Sequence, residues 1–384
     1  MPEAQLLSVT REEGVIVRNV ESKEENHNYI PDDLSNYKYV QRGQFVINKM
    51  KSWQGSYGVS NYDGIVSPAY FVYDLNYPNK DYFNIAIRSK IFSPFFSKYS
   101  KGIRVDQWDL TPEALKIIPF LEPPKAEQDA IVRYLDSATS EIDKAIAMQQ
   151  KMIDLLNERK QIIIQNAVTK GLDENVEMKE SGVEWIGRIP KHWEVRRGKF
   201  LFRVVNEYST TGQEELLTVS DRTGITPRSM KNVNMFMSES LIGYKKCQKG
   251  DICSNIMWMW HGAVGVTKYN GVISPSYGVY RQIAVNYDNK YLDYMLRLPR
   301  LVDVYGICST GLTESRLRLY PDDFMNIQFF IPPVEEQKSI VLQIQKQITD
   351  IEKSIRNAEN LITLLQERKQ IIINEVVTGK VRVI

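Results

Sequence analysis

The chain has 384 residues, of which 43% are hydrophobic and 25% charged, so it can bury a large core and divide into two or three domains. Its net charge of +2 is too small to indicate a nucleic-acid partner by itself. Three cysteines (Cys247, Cys253 and Cys308) and three histidines show no metal-ligand spacing, so we expect no bound metal and a reducing, cytoplasmic setting. No apolar run approaches the roughly 18 residues that a membrane span requires.

Residues 1–122 predict a domain of mixed strands and short helices. Gln44–Met50 and Ile65–Leu75 are rich in β-branched and aromatic residues, as strands are. Asn61–Gly64 is typical of a tight turn in which Asp-Gly supplies a positive φ. The segment 80–93 predicts a helix that is ended by the proline following it.

Residues 123–171 predict one long amphipathic helix. Pro123 and Pro124 suit a first helical turn, and apolar residues then recur three and four positions apart until Gly171 ends the pattern. At about 1.5 Å per residue such a helix is roughly 60 Å long. Its own turns cannot cover an apolar stripe of that length, so we expect a partner helix.

The second half of the chain repeats this order. Residues 172–331 predict a linker and a second mixed domain, and residues 332–384 a second long helix with a short tail. LLNERKQIIIQNAVT (Leu155–Thr169) returns as LLQERKQIIINEVVT (Leu364–Thr378), 209 residues later (364 − 155). The repeat indicates that the second long helix is the partner of the first. The predicted packing positions are Ile142, Leu155, Leu156, Ile163, Ile351, Leu364, Leu365 and Ile372.

The two mixed domains also match each other. YKYVQRG (Tyr37–Gly43) pairs with YKKCQKG (Tyr244–Gly250) at an offset of 207 (244 − 37), and the same offset aligns Trp53 with Trp260. Framework positions are shared and the residues between them differ, as expected for one scaffold that carries two specificities. The first copy has no match for Ser181–Glu215, so we expect it to lack the opening fifth to quarter of the module.

Three motifs, together with the order domain, helix, domain, helix, resemble a known family, the specificity subunit of type I restriction–modification systems. They are SGVEWIGRIPKHWEV (Ser181–Val195), the Pro-Pro-x-x-Glu-Gln helix starts at Pro123 and Pro332, and the paired ERKQIII segments. The resemblance covers nearly the whole chain. It implies an α+β fold, in which two repeated α/β target-recognition domains are separated by two long antiparallel helices that form an intramolecular coiled coil.

The resemblance also implies a function. Each recognition domain would read half of a split site in double-stranded DNA, and the helices would set the separation of the halves. The helices would also bind two methyltransferase (modification) subunits and, in some complexes, restriction or motor subunits. S-adenosylmethionine would belong to the methyltransferase partner, so we expect this chain to bind no cofactor and to be non-catalytic.

Candidate DNA contacts are cations, amides and aromatic residues near predicted turns. Positions that differ between the copies are candidates for base recognition, and matched cations for phosphate contacts. The alternative is structural: a strand pair whose tryptophans, Trp53 and Trp260, pack in the core, beside ordinary solvated turns. The candidates are Lys38, Arg42, Lys49, Lys51, Gln54, Arg228, Lys231, Lys245, Lys249, Trp258 and His261.

No catalytic motif is apparent in the chain. It has neither the Asn-Pro-Pro-aromatic or Asp-Pro-Pro-aromatic motif of adenine methyltransferases nor a Walker-type phosphate loop. Two other functions stay open from the residues alone. One is a coiled-coil scaffold whose mixed domains bind proteins, and the other is the recognition part of a larger restriction–methylation enzyme.

Overall fold

The internal repeat of the sequence is also a repeat of secondary structure. A computed structural model describes residues 5–19, 33–102, 108–230, 240–313 and 316–383. The chain divides into unit 1, formed by Met1–Ile153 with Asn357–Ile384, and unit 2, formed by Asp154–Arg356. Each unit mixes strands and helices and contains part of two long helices, which confirms the predicted fold class.

Unit 1 is built on short antiparallel strands. They are β1 (Leu7–Thr10), β2 (Gly14–Val17), β3 (Lys38–Val40), β4 (Phe45–Asn48), β5 (Tyr57–Val59), β6 (Gly64–Val66) and β7 (Tyr70–Tyr73). The helices are α1 (Lys80–Ile87), α2 (Ser93–Tyr99), α3 (Pro112–Lys116) and the first long helix, α4 (Lys125–Lys170). Strand β4 lies between β5 and β7 in a three-stranded sheet, and its four residues are buried.

Two local predictions for unit 1 are wrong. The predicted helix 80–93 ends at Ile87, and Pro94 lies in the first turn of α2, where its missing N–H breaks no helical hydrogen bond. Gly64 does not adopt a positive φ but begins β6. A Cβ atom at Gly64 would lie 2.3 Å from the carbonyl oxygen of Gln5, so close backbone approach, rather than turn geometry, requires glycine there.

Unit 2 repeats these strands and adds others. Its strands are β8 (Met178–Glu180), β9 (Arg188–Pro190), β10 (Glu194–Arg197), β11 (Phe202–Val204), β12 (Leu217–Ser220), β13 (Gly224–Pro227), β14 (Lys245–Cys247), β15 (Ile252–Ser254), β16 (Val264–Val266), β17 (Gly271–Ile273), β18 (Gly278–Gln282) and β19 (Gln328–Ile331). Its helices are α5 (Asn289–Leu296), α6 (Pro299–Cys308), α7 (Pro321–Asn326) and the second long helix, α8 (Val334–Val377). Strands β12 to β18 correspond in order to β1 to β7. The main sheet has the order β11-β18-β15-β16.

The long helices α4 and α8 pack together, with opposite ends in contact in each unit. In unit 1, Ile131 near the start of α4 shares a buried cluster with Val376 at the end of α8. In unit 2, Val168 at the end of α4 shares a cluster with Ile340 at the start of α8. The helices therefore run antiparallel, as the family resemblance implied.

A repeated ion pair accompanies this packing. In unit 1 the Lys369 ammonium lies 2.6 Å from an Asp143 carboxylate oxygen. In unit 2 the Lys160 ammonium lies 2.6 Å from a Glu352 carboxylate oxygen. Both partners are related by the 209-residue repeat (369 − 160 and 352 − 143), so each unit carries the same contact between the helices.

The predicted packing positions on the helices divide into three groups. Ile142 and Ile351 are buried. A further four are half-buried, namely Leu156, Ile163, Leu365 and Ile372. Leu155 and Leu364 are 55% and 60% exposed, which corrects their assignment to the seam. Neighbouring residues on an α-helix point about 100° apart, so only one leucine of each Leu-Leu pair can face the partner helix.

Candidate nucleic-acid interface

Each unit contains a β-hairpin whose two strands are joined by a loop that includes one 3-10 turn. In unit 1 the turn Ser52–Gln54 lies between β4 and β5 and ends at Gly55, whose φ is 101°. In unit 2 the turn Met259–His261 lies between β15 and β16 and ends at Gly262, whose φ is 87°. This left-handed conformation is one that residues with a side chain rarely adopt, so glycine is required at the end of both turns.

The matched positions of the two hairpins hold the framework together. Asn48 and Asn255, which precede the 3-10 turn in each hairpin loop, are buried. In unit 1 the Val59 backbone N–H donates to the Asn84 carboxamide oxygen at 2.9 Å. In unit 2 the Val266 N–H donates to a carboxylate oxygen of Asp293, the counterpart of Asn84, at 2.8 Å. The same bond is thus made with a neutral amide in one unit and a carboxylate in the other.

The positions that differ between the hairpins lie at their exposed tips. Lys51 and Gln54 are exposed in unit 1, and their counterparts Trp258 and His261 are exposed in unit 2. The ammonium of Lys49 lies 3.1 Å from a carboxylate oxygen of Asp109. One tip therefore presents a cation and an amide, whereas the other presents aromatic rings.

The aromatic tip of unit 2 is a stacked group. The rings of Trp258 and Trp260 lie 6.1 Å apart at 13°, and those of Trp258 and His261 lie 5.3 Å apart at 26°. Trp258 is nevertheless 51% exposed. An exposed, preorganised ring of this kind can stack on a base or wedge between base steps at low conformational cost.

The framework tryptophans Trp53 and Trp260 are half-buried. The indole of Trp53 lies 5.4 Å from that of Trp108, and the Trp260 indole N–H donates to the Met257 carbonyl at 3.1 Å. These two tryptophans therefore pack under the hairpin tips and are not part of the buried cores.

The matched cations make matched internal contacts. The Lys38 ammonium donates to the Tyr70 carbonyl at 2.6 Å, and the Lys245 ammonium donates to the Tyr277 carbonyl at 2.7 Å. Burial lowers the pKa of Lys245. The Arg42 guanidinium donates to a backbone carbonyl at 2.8 Å. These bonds give the side chains a structural role, and phosphate contact by them stays a prediction.

A cluster of lysines in unit 2 is not apparent from the sequence. It surrounds a cavity of about 670 Å³, which is also lined by Asp288 and Asp293. The four lysines are Lys249, Lys268, Lys290 and Lys338. At the repeat offsets of 207 and 209, their counterparts in unit 1 are Arg42, Asn61, Asp81 and Asp129. Comparing the charge of matched positions would have found this difference, because all four positions are lysines in unit 2 and only one of them is a cation in unit 1.

The last candidates form the turn after β13. Arg228 lies in the 3-10 turn Arg228–Met230, and its backbone N–H donates to the Leu216 carbonyl at 2.8 Å. Lys231 lies outside the described residues.

Within the described ranges, no group of three or more His, Cys, Asp and Glu residues could hold a metal ion. Among the helices that the structure describes, none is both long and apolar enough to cross a membrane.

The outer face of each long helix carries an apolar stripe. On α4, within unit 2, Leu155 and Ile162 are exposed with Arg159 between them. On α8, within unit 1, their repeat counterparts Leu364 and Ile371 are exposed in the same way, with Arg368 between them. Residues seven positions apart lie on the same face of a helix, so each stripe is a candidate surface for binding another protein.

No family model matches the chain. Among curated proteins it is similar to the MjaX specificity subunit of a type I restriction enzyme from Methanocaldococcus jannaschii, itself a provisional assignment. The two are 23% identical over 378 residues, which cover 92% of this chain and 81% of the relative. The type I restriction enzyme MjaVIII specificity subunit of the same organism is 24% identical over 77% of this chain and 69% of the relative. The type I restriction enzyme EcoKI specificity subunit of Escherichia coli is 24% identical, over 71% of this chain and 60% of the relative.

A solved structure has the same fold. It is a chain from a study of complex assembly and conformational transition of the type I R-M system. The TM-score is 0.63 at 14% identity, and the alignment covers 97% of this chain and 91% of that chain. The curated homologues thus confirm the family resemblance stated from the sequence motifs, and the structural neighbour confirms the fold.

Proposed function

We propose, on the premise that this chain is a homologue of type I restriction enzyme specificity subunits, that it is the subunit of such a system that recognises the DNA sequence. The observation that carries the proposal is a pair of units with one framework and two chemically different exposed tips. The buried matched positions keep the hairpin geometry constant, and the exposed positions are free to vary with the sequence that is recognised.

The two tips would read different half-sites. Gln54 can form a bidentate pair with adenine, and Lys51 can donate to guanine, both in the major groove. Trp258 would add stacking or an apolar contact, for example with a thymine methyl group. The lysines around the unit 2 cavity would hold phosphates, and contacts of that kind give affinity without sequence information.

The exposed stripes would bind the modification subunits. Each unit carries one stripe of the same composition, which suits two copies of one partner. The chain would be non-catalytic and would bind no cofactor, and the methyltransferase partner would supply S-adenosylmethionine. Restriction subunits would join the same complex.

The DNA proposal is tested with the chain assembled with its modification subunits. We expect Trp258→Ala to weaken binding by about 1–3 kcal/mol and to relax selection at positions of one half-site only. We expect Gln54→Ala to act only on the other half-site. Methylation-sensitive sequencing of the source genome would first identify the split DNA motif. Fluorescence anisotropy on a library of single-base variants of that motif then measures both effects.

The control for this experiment is Val285→Ala, which removes an exposed side chain outside both hairpins. Equal affinity of the native chain for the motif and for DNA of scrambled sequence would instead support a protein-binding scaffold. Methyl transfer by the chain alone, with S-adenosylmethionine and DNA, would overturn the non-catalytic assignment.

The partner surface has a separate test. We expect Leu155→Glu and Leu364→Glu each to remove one modification subunit, leaving a complex with a single copy, and the double variant to bind none. Native mass spectrometry counts the subunits. Leu342→Glu, an exposed leucine of α8 outside the stripe, is the matched control. Two bound subunits in the double variant would contradict the assignment of the stripes.

A further inference from the structure

The main sheets of the two units differ at one edge. In unit 2, β18 lies between β11 and β15. In unit 1, its counterpart β7 pairs with β4 on one side, and no strand of the described residues pairs with its other side. An exposed strand edge offers a row of unpaired backbone N–H and C=O groups that another strand can bind.

Unit 2 covers this edge with the segment Ser181–Val205, here called the opening segment. Its strand β10 pairs with β19 from Glu194 to Arg197, and its strand β11 pairs with β18 from Phe202 to Val204. Between these strands, the Gly198 N–H donates to the Ile327 carbonyl at 2.8 Å. The opening segment thus adds two strands in succession to the body of unit 2.

Trp193 anchors the opening segment. It is fully buried and stacks on Phe330, with ring centroids 5.6 Å apart at 19°. Its indole N–H donates at 3.1 Å to a carboxylate oxygen of Glu336, in the first turn of α8. His192 contacts the same oxygen at 2.7 Å. One large aromatic side chain therefore supplies both apolar burial and a charge-assisted hydrogen bond.

Among the described residues, the counterparts of these groups in unit 1 are more exposed to solvent. The repeat offset of 209 places Leu121 where unit 2 has Phe330, and Leu121 is 45% exposed. Glu127 stands at the position of Glu336, and its carboxylate accepts no hydrogen bond from the described residues. Tyr73, at the position of the fully buried Tyr280, is half-buried. The segment 119–122, at the position of β19, forms no strand.

We propose that this face of unit 1 binds an extended polypeptide with the sequence features of the opening segment, separate from the copy already folded into unit 2. Its first strand would lie along residues 119–122, and its second along the edge of β7 that pairs with no strand of the described residues. Its tryptophan would cover Leu121 and donate to the Glu127 carboxylate. This is strand addition with an aromatic anchor. The inference does not depend on DNA recognition, because it rests on the comparison of the two units.

The sequence of the polypeptide that would bind here can be inferred from unit 2. Unit 2 shows which sequence covers this face of the repeated module, and the framework beneath is shared. A second copy of the whole chain, pairing edge to edge through β7, is a different occupant that the same experiment distinguishes.

The test adds a synthetic peptide of residues 181–205 to the full chain. We expect one peptide to bind per chain, and hydrogen exchange to slow at residues 70–75 and 118–122 but not at residues 278–283. A peptide with Trp193→Ala should bind about tenfold more weakly or worse, since an anchoring tryptophan carries a large share of such an interface. Fluorescence anisotropy of a labelled peptide measures the affinity.

Two variants of the chain locate the contact. Leu121→Asp should weaken binding of the native peptide by at least about tenfold, because it places a charge under the anchor. Leu172→Asp, an equally exposed leucine in unit 2, should leave binding unchanged. Absence of binding, or protection elsewhere than at residues 70–75 and 118–122, would overturn the proposal. Protection of residues 70–75 that depends on chain concentration without peptide would assign the face to a second copy of the chain and would also overturn it.

Discussion

Unit 1 and unit 2 make the same framework contacts with different chemistry. In unit 2 the buried carboxylate of Asp251 accepts two hydrogen bonds from the Arg281 guanidinium, at 2.7 and 2.8 Å. At the same positions in unit 1, the Gln44 side-chain amide donates to a carboxylate oxygen of Asp74 at 2.7 Å. The two copies therefore share the positions of their contacts more closely than they share charge. Each interaction can therefore be tested against its counterpart within one molecule.

The largest difference in stability between the two units should follow from removing Trp193, which anchors the opening segment of unit 2. We expect Trp193→Ala to lower the free energy of unfolding of unit 2 by about 3–5 kcal/mol, because a fully buried indole and its hydrogen bond are lost. Leu121→Ala, at the partly exposed counterpart of the ring that Trp193 covers, should cost less than about 1 kcal/mol in unit 1. Urea unfolding followed by hydrogen exchange of each unit measures both. Equal effects would show that the two faces are covered alike.

The next effect should come from the buried ion pair. We expect Arg281→Ala to destabilise unit 2 by about 3 kcal/mol, since it leaves the Asp251 carboxylate buried without its cation. Gln44→Ala should destabilise unit 1 by less than about 1 kcal/mol, because its partner is solvated. The same unfolding experiment provides the comparison, and a larger loss in unit 1 would refute it.

A smaller effect should depend on pH. Burial raises the pKa of Asp293, so unit 2 is stabilised by this group below the ordinary pKa of aspartate and loses that stability as pH rises through the folded-state pKa. Asp293→Asn keeps an acceptor for the Val266 N–H without the charge. We expect it to raise the Tm of unit 2 by a few degrees at pH 7 and to remove this part of the pH dependence.

The converse variant in unit 1 is the control for that experiment. Asn84→Asp should introduce the same loss of stability with rising pH. Calorimetry between pH 3 and pH 8 follows both, over a range set by the ordinary pKa of aspartate of about 3.9. A pH profile of the Asp293→Asn variant that matches the native chain would contradict the assignment.

The smallest effects should be equal in the two units. Lys160→Ala and Lys369→Ala each remove one copy of the ion pair between the long helices. The side chains are partly exposed, so we expect each change to cost no more than about 1 kcal/mol. Thermal unfolding at low and high salt measures the loss, which should shrink as salt screens the charges. A clearly larger loss in one unit would indicate unequal packing of the helices.

Much of this architecture could be predicted from the sequence. The long helices follow from apolar residues three and four apart and from the proline pairs before them. The framework of the hairpins follows from residues that recur at one offset. The tip residues that differ between the copies, such as Lys51 and Trp258, are exposed, and their role in recognition stays a prediction.

Other features could not be predicted, for physical reasons. Both leucines of the pair Leu155-Leu156 fit a helical period, and only packing decides which one faces inward. The lysines around the unit 2 cavity lie far apart in the sequence, between Lys249 and Lys338, so folding alone brings them together. The stacking of Trp258 on His261 depends on the 3-10 turn, whose geometry is set by a glycine at its end.

The discontinuity of unit 1 has a consequence for biosynthesis. Unit 2 is one continuous stretch of chain, whereas unit 1 needs residues 357–384 to complete its core. Domains fold as their residues leave the ribosome. Unit 1, most of which is translated first, therefore cannot complete its core until the last turns of α8 have been synthesised. Unit 2 has all of its residues before that point, although it begins later in the chain.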